Sequence, residues 1–143
     1  MANLEIVFSS NECDIFYNNS LHIVQTFWKG VYVNEEPFRK ILDEIINVLE
    51  LKNASIIIAD ARDMYAITPK DQEWILDSWY PRAVKAGFRY QGLILNKDTF
   101  SELTVKTISN QYDTATVTTQ YFSSPSDALD WVREIQEAGA ERR

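Results

Sequence analysis

Two carboxylates and a guanidinium stand within four residues in Asp60-Ala61-Arg62-Asp63, directly after the apolar run Ile56-Ile57-Ile58-Ala59. Carboxylates so placed could exchange protons with a substrate or hold a divalent cation, and ligands of open α/β sheets bind outside the carboxyl ends of strands. A phosphoacceptor aspartate of the receiver type occupies such a strand end, but it needs an acidic pair after the first strand and a lysine after the last. Those positions read Phe8-Ser9-Ser10 and Tyr121-Phe122-Ser123, so receiver chemistry is rejected. The simpler reading has Asp60 accepting from loop amides while Arg62 forms an ion pair, since structural ion-pair networks often resemble sites.

Nucleophilic catalysis has less to build on. His22 is the sole histidine and Cys13 the sole cysteine, each inside an apolar stretch, so neither a dyad nor a metal cluster is expected. Gly30, Gly87, Gly92 and Gly139 are isolated from one another, which leaves no phosphate-cradling loop. Trp74, Trp79, Tyr80 and Tyr90 gather around one helix and the strand after it, with Trp28 nearby. Large aromatics belong first to cores. These cannot all face one way on a helix, however, so at least one ring is expected to line a groove or an interface.

The chain that must position these groups has 143 residues, 45% apolar and 24% charged, with four Trp, seven Tyr and seven Phe. That suits one compact α/β domain over 1–143, frayed at 1–3 and 140–143, and excludes disorder. Fourteen basic against twenty-one acidic residues leave a net charge of −7, which repels nucleic acid and anionic membranes. No basic segment precedes an apolar run at the amino terminus and no span approaches membrane length, so a cytoplasmic protein without membrane insertion is expected.

Strands are expected at Leu4 to Phe8, Cys13 to Tyr17 and Leu21 to Trp28, the last two joined by a two-residue turn at Asn18-Asn19. Phe38, Ile41, Leu42, Ile45, Ile46 and Leu49 recur at three and four residues, which makes 35–51 a helix with Asn34 as its N-cap. Ile56-Ile57-Ile58-Ala59 reads as a strand buried on both faces. Thr68 and Pro69 start a second helix that Gly87 closes, with a kink or break near Tyr80 imposed by Pro81. Arg89 to Leu95 and Thr116 to Phe122 are strands. Asp98 caps a third helix over 99–110 that carries Phe100, Leu103, Thr107 and Ile108, and Ser124 caps a fourth over 125–138 that Gly139 ends. The order β-β-β-α-β-α-β-α-β-α implies a single mixed sheet: antiparallel at its N-terminal strands, then parallel through βαβ crossovers, with four helices.

Taken together, Trp28-Lys29-Gly30 before the helix bearing Phe38-Arg39, then Ile58-Ala59-Asp60-Ala61-Arg62, Trp74, Gly87 and Ala128-Leu129-Asp130-Trp131-Val132, resemble the SpoIIAA-like branch of the STAS superfamily, also called STAS/SEC14 domain-containing proteins. The resemblance spans roughly residues 13 to 135. It implies a small sheet domain acting as a binding or regulatory module, without shared catalytic residues. The anti-sigma-factor antagonists of that superfamily carry a phosphorylated serine in an Asp-Ser pair at the helix after the central strand. This chain has Ile67-Thr68-Pro69 there, which puts the phosphorylation switch in doubt and leaves Thr68 as the nearest hydroxyl.

The expectation is therefore a non-enzymatic module, without cofactor or metal, that binds a protein partner or a small apolar ligand. The surface assigned to it comprises Asp60, Arg62, Asp63 and Tyr65 of the loop with Thr68, Trp74, Trp79 and Tyr80 of the second helix. The alternative is a small enzyme using Asp60 and Asp63 as acid and base or as cation ligands. Homodimerisation through exposed aromatics is compatible with either. A deep apolar pocket beside Asp60 would separate ligand binding from plain packing.

Overall fold

A computed structural model describes residues 4–31, 33–96, 106–113 and 115–141. One six-stranded sheet runs β1 (Leu4–Ser9), β2 (Cys13–Asn18), β3 (Ile23–Trp28), β4 (Ile56–Asp60), β5 (Tyr90–Ile94), β6 (Thr118–Phe122), with each strand beside its successor in sequence. The pairs β1–β2 and β2–β3 are antiparallel, and the three that follow are parallel. The expected mixed sheet is thus observed.

This order has a physical consequence. Right-handed crossovers that always step in one direction along a sheet deposit all their helices on one face. On that face lie α1 (Glu35–Lys52), α2 (Pro69–Trp74), a π-helical segment (Ile75–Trp79), α3 (Tyr80–Lys85) and the helical turn at 106–109. Their buried residues form one cluster with Cys13, Ile15, Val24, Ile57 and Leu93. The last helix, α4 (Pro125–Glu141), follows the final strand and covers the other face, where Ala128 and Val132 meet Ile56, Ile58 and Ile94. Alternation along β4 therefore sends Ile57 and Ala59 toward the first layer, and Ile58 and Asp60 toward the second. Ile57 and Ile58 are 3% and 2% exposed, as an interior strand requires.

Helix α1 buries the six residues of the expected stripe, each of which contributes about 1.5–3 kcal/mol on leaving water. Asn34 occupies the N-cap position with extended backbone but makes no side-chain cap bond, whereas Asn53 ends the helix in the left-handed region.

Several boundaries differ from expectation. The β2–β3 connection is the four-residue stretch between paired Asn18 and Ile23, not a two-residue turn at Asn18-Asn19. Asn18 is fully buried, donating to Gln25 Oε1 and accepting from the Leu21 amide, so it belongs to the strand end and organises the loop. His22 falls in that loop with φ 57°, and β3 starts one residue later. Strand β6 starts at Thr118 because Asp113 draws Ala115, Thr116 and Val117 into a turn. Helix α4 continues through Gly139 to Glu141: glycine ends a helix by adopting positive φ, and Gly87 is the glycine that does so here. At Pro81 the second helix does not break. Proline clashes with the carbonyl four residues back, and the π-helical turn just before it absorbs the misfit. The third helix is observed over 106–109; Asp98, Phe100 and Leu103 lie outside the described residues.

Candidate functional site

Asp60 is 9% exposed and faces the α4 layer. Its Oδ1 accepts from the Arg62 Nε at 3.0 Å and from the Arg62 amide at 3.3 Å, while Oδ2 accepts from Arg62 Nη2 at 2.7 Å. This two-point grip pushes the Arg62 guanidinium still higher than its ordinary range. Both carboxylate oxygens are thereby occupied in turning the chain out of the strand. Space beside Asp60 amounts to about 10 Å³, enough for one water at most. Asp63 is exposed on the loop and acts on the Arg62 guanidinium only through its charge, as a lesser cause than Asp60. Among the described residues no three His, Cys, Asp or Glu side chains converge. Cys13 and His22 lie at opposite ends of the β2–β3 hairpin, about 17 Å apart along the strand.

The aromatic group divides between the two faces. Tyr90 points to the α4 side and meets Trp131, because it alternates with Gln91 and Leu93. Trp74 is half-buried between two cations, the guanidinium carbons of Arg39 and Arg82 lying 5.0 and 5.6 Å from its ring centre. Arg39 also bonds the buried Asp71 carboxylate at 3.2 Å, so Trp74 belongs to a network pinning α2 onto α1. Tyr80 is half-buried and stacks flat on Tyr112, centroids 4.2 Å apart. Trp79 is only 4% exposed, so it is no surface contact for a protein partner. Its indole N–H donates to the Leu42 carbonyl at 2.7 Å. Thr68 is the N-cap of α2 and accepts from the Asp71 amide; Tyr65, 52% exposed, stands out from the loop. Apart from Tyr65, the large exposed apolar residues among those described are aliphatic: Leu4, Ile6, Val31 and Leu51.

An apolar cavity of about 80 Å³ does lie beside this loop, but on the face opposite Asp60. Its floor is the sheet, where Thr26, Ile57, Ala59, Gln91 and Leu93 point from three adjacent strands. Phe38, Leu42 and Ile45 of α1 wall one side, and Ile75 and Trp79 another. Ala61, Met64 and Ile67 come from the loop itself, Ile108, Ser109 and Tyr112 from the segment before β6. The small side chains of Ala59 and Ala61 leave the space open. Of these lining residues Ala59 and Ile67 alone are not buried, which puts the entrance at the carboxyl end of β4 under the loop.

The sheet order explains the location. A doubly wound sheet opens a crevice where strand order reverses. This sheet never reverses, so the free volume lies between sheet and helices instead.

Of the eight residues assigned to the expected binding surface, only Trp79 lines the cavity, together with Trp28 of the wider aromatic group. Thr26, Gln91 and Ser109 were missed, although alternation carried a signal: Thr26 lies between inward-facing Val24 and Trp28, and Gln91 is two residues from Leu93. A polar residue on an otherwise apolar strand face marks a place where something must satisfy it. Compared with known proteins, the chain matches no family model, no curated protein and no solved structure.

Proposed function

We propose that the chain is a non-enzymatic binding module of the STAS type, whose ligand is a small apolar molecule held in the cavity beneath the Ala61 to Ile67 loop. The cavity itself carries this reading. Interiors pack to the density of organic crystals, and an unfilled apolar void costs roughly 24 cal/mol per Å³, so about 80 Å³ forfeits about 2 kcal/mol. A fold that keeps such a void gains from a guest. The volume is about half that of an apolar cavity of about 150 Å³ that takes benzene, which points to a guest smaller than benzene. The acid–base alternative at Asp60 and Asp63 has less behind it, because Arg62 occupies the Asp60 carboxylate. A cytoplasmic setting is part of this reading, in keeping with the unpaired, buried Cys13.

Thermal melting under xenon pressure tests it. A guest that binds only the native state raises the midpoint with its concentration, and Ala59→Val, which adds two methyl groups at the entrance, should abolish the rise. An unchanged wild-type midpoint at saturating xenon would sink the proposal. Trp28 and Trp79 line the cavity, so their fluorescence offers a second readout.

A further inference from the structure

Thr26 is 1% exposed and its Oγ1 has no hydrogen-bond partner. Its position on β3 aims it with Val24 and Trp28 at the first helix layer, and so into the cavity. Of the other side-chain polar groups of the lining, Trp79 Nε1 donates to the Leu42 carbonyl and Gln91 Nε2 donates to Ser109 Oγ at 3.0 Å, which leaves the Tyr112 phenol as the further hydroxyl, on the wall rather than the floor. The partnerless hydroxyls of Tyr80 and Thr119 belong to residues outside the lining. No charged side chain faces the cavity among the described residues.

These observations define a guest. A charged molecule would sit unpaired in an apolar space and is disfavoured. A purely hydrocarbon guest would fill the volume and leave the Thr26 hydroxyl unbonded. Water would answer Thr26 but needs two to four polar partners, and the Trp79, Gln91 and Ser109 groups of the lining already bond within the protein. We infer that the cavity takes a small neutral molecule whose apolar body carries one ketone or hydroxyl oxygen, and that this oxygen bonds Thr26 Oγ1 at the cavity floor. The inference rests on the proposed ligand-binding reading and adds the chemical class of the ligand. Thr26 would then set specificity by hydrogen bonding, while Ala59 and Ala61 set size.

The test uses two probes of nearly one shape, both smaller than benzene, propan-2-one and 2-methylprop-1-ene, which differ by an oxygen in place of a methylene. Affinities are measured by titration calorimetry on wild type, Thr26→Val and Thr26→Ser. Valine keeps the branched shape that suits a strand, and serine keeps the hydroxyl. The expected result is a loss of about tenfold in propan-2-one affinity in Thr26→Val, little change for the alkene, and ketone affinity retained in Thr26→Ser. Equal changes for both probes in Thr26→Val would overturn the inference while leaving the cavity a ligand site. Failure of both probes to bind wild type would overturn the ligand-binding reading and this inference with it.

Discussion

The indole N–H of Trp79 reaches 2.7 Å to the carbonyl oxygen of Leu42, bridging the π-helical turn and α1 along one wall of the cavity. That bond ties the helix disturbed by Pro81 to the longest helix of the same layer. Trp79 and its sequence neighbour Tyr80 consequently have different roles. Trp79→Ala should cost about 3–5 kcal/mol, the range for a buried large aromatic, and Tyr80→Ala less because that residue is only half-buried. Urea melts of the two variants check the order, and equal losses would contradict it.

Gly92 carries a constraint of close approach. A Cβ at this position would lie 2.6 Å from Ile58 Cδ1 and 3.3 Å from the Trp131 ring, in the layer under α4. Gly92→Ala should destabilise by about 1–3 kcal/mol through overpacking, measured as a lower denaturant midpoint at unchanged slope. Trp131→Leu in the same background should leave the penalty largely in place, since the nearest clash is with Ile58.

Arg62→Ala strands a carboxylate that is 9% exposed with the Arg62 amide as its remaining donor. The expected cost is about 1–2 kcal/mol, moderated because the guanidinium is partly in water. Combining it with Asp60→Asn should cost less than the sum of the single changes, as neither charge is then left alone. A double-mutant cycle by chemical denaturation reads the coupling, and strict additivity would count against the ion pair.

Burial pushes the Cys13 thiol up from 9.0 to about 12, and burial likewise raises the Tyr112 phenol. Below pH 9 the thiol is neutral in folded and unfolded chains alike. Above that, the unfolded chain loses its proton first, so stability falls between about pH 9 and about pH 12. Melting midpoints across that window should drop less in Cys13→Ala. At pH 8 the native thiol should react with iodoacetamide only at the rate at which the protein opens.

Periodicity in the sequence determined much of this protein. The stripe from Phe38 to Leu49 specified a helix, the unbroken run from Ile56 to Ala59 specified a doubly covered strand, and Thr68-Pro69 with Gly87 bounded the second helical region. Each is a local effect: side-chain spacing, a cap, or the conformational freedom of one glycine with φ 114°. The mixed sheet followed from the order of these elements. Local signals could not place the site. Asp60 and Ala59 are adjacent in the chain yet face opposite layers, and the charged neighbour drew attention while the small one lines the cavity. Asn18 reads as a turn residue, and only burial with Gln25 makes it part of a strand. The cavity draws on strands and helices from Thr26 to Tyr112, so its existence depends on how imperfectly distant surfaces fill space. That is a property of packing in three dimensions, and no window of sequence contains it.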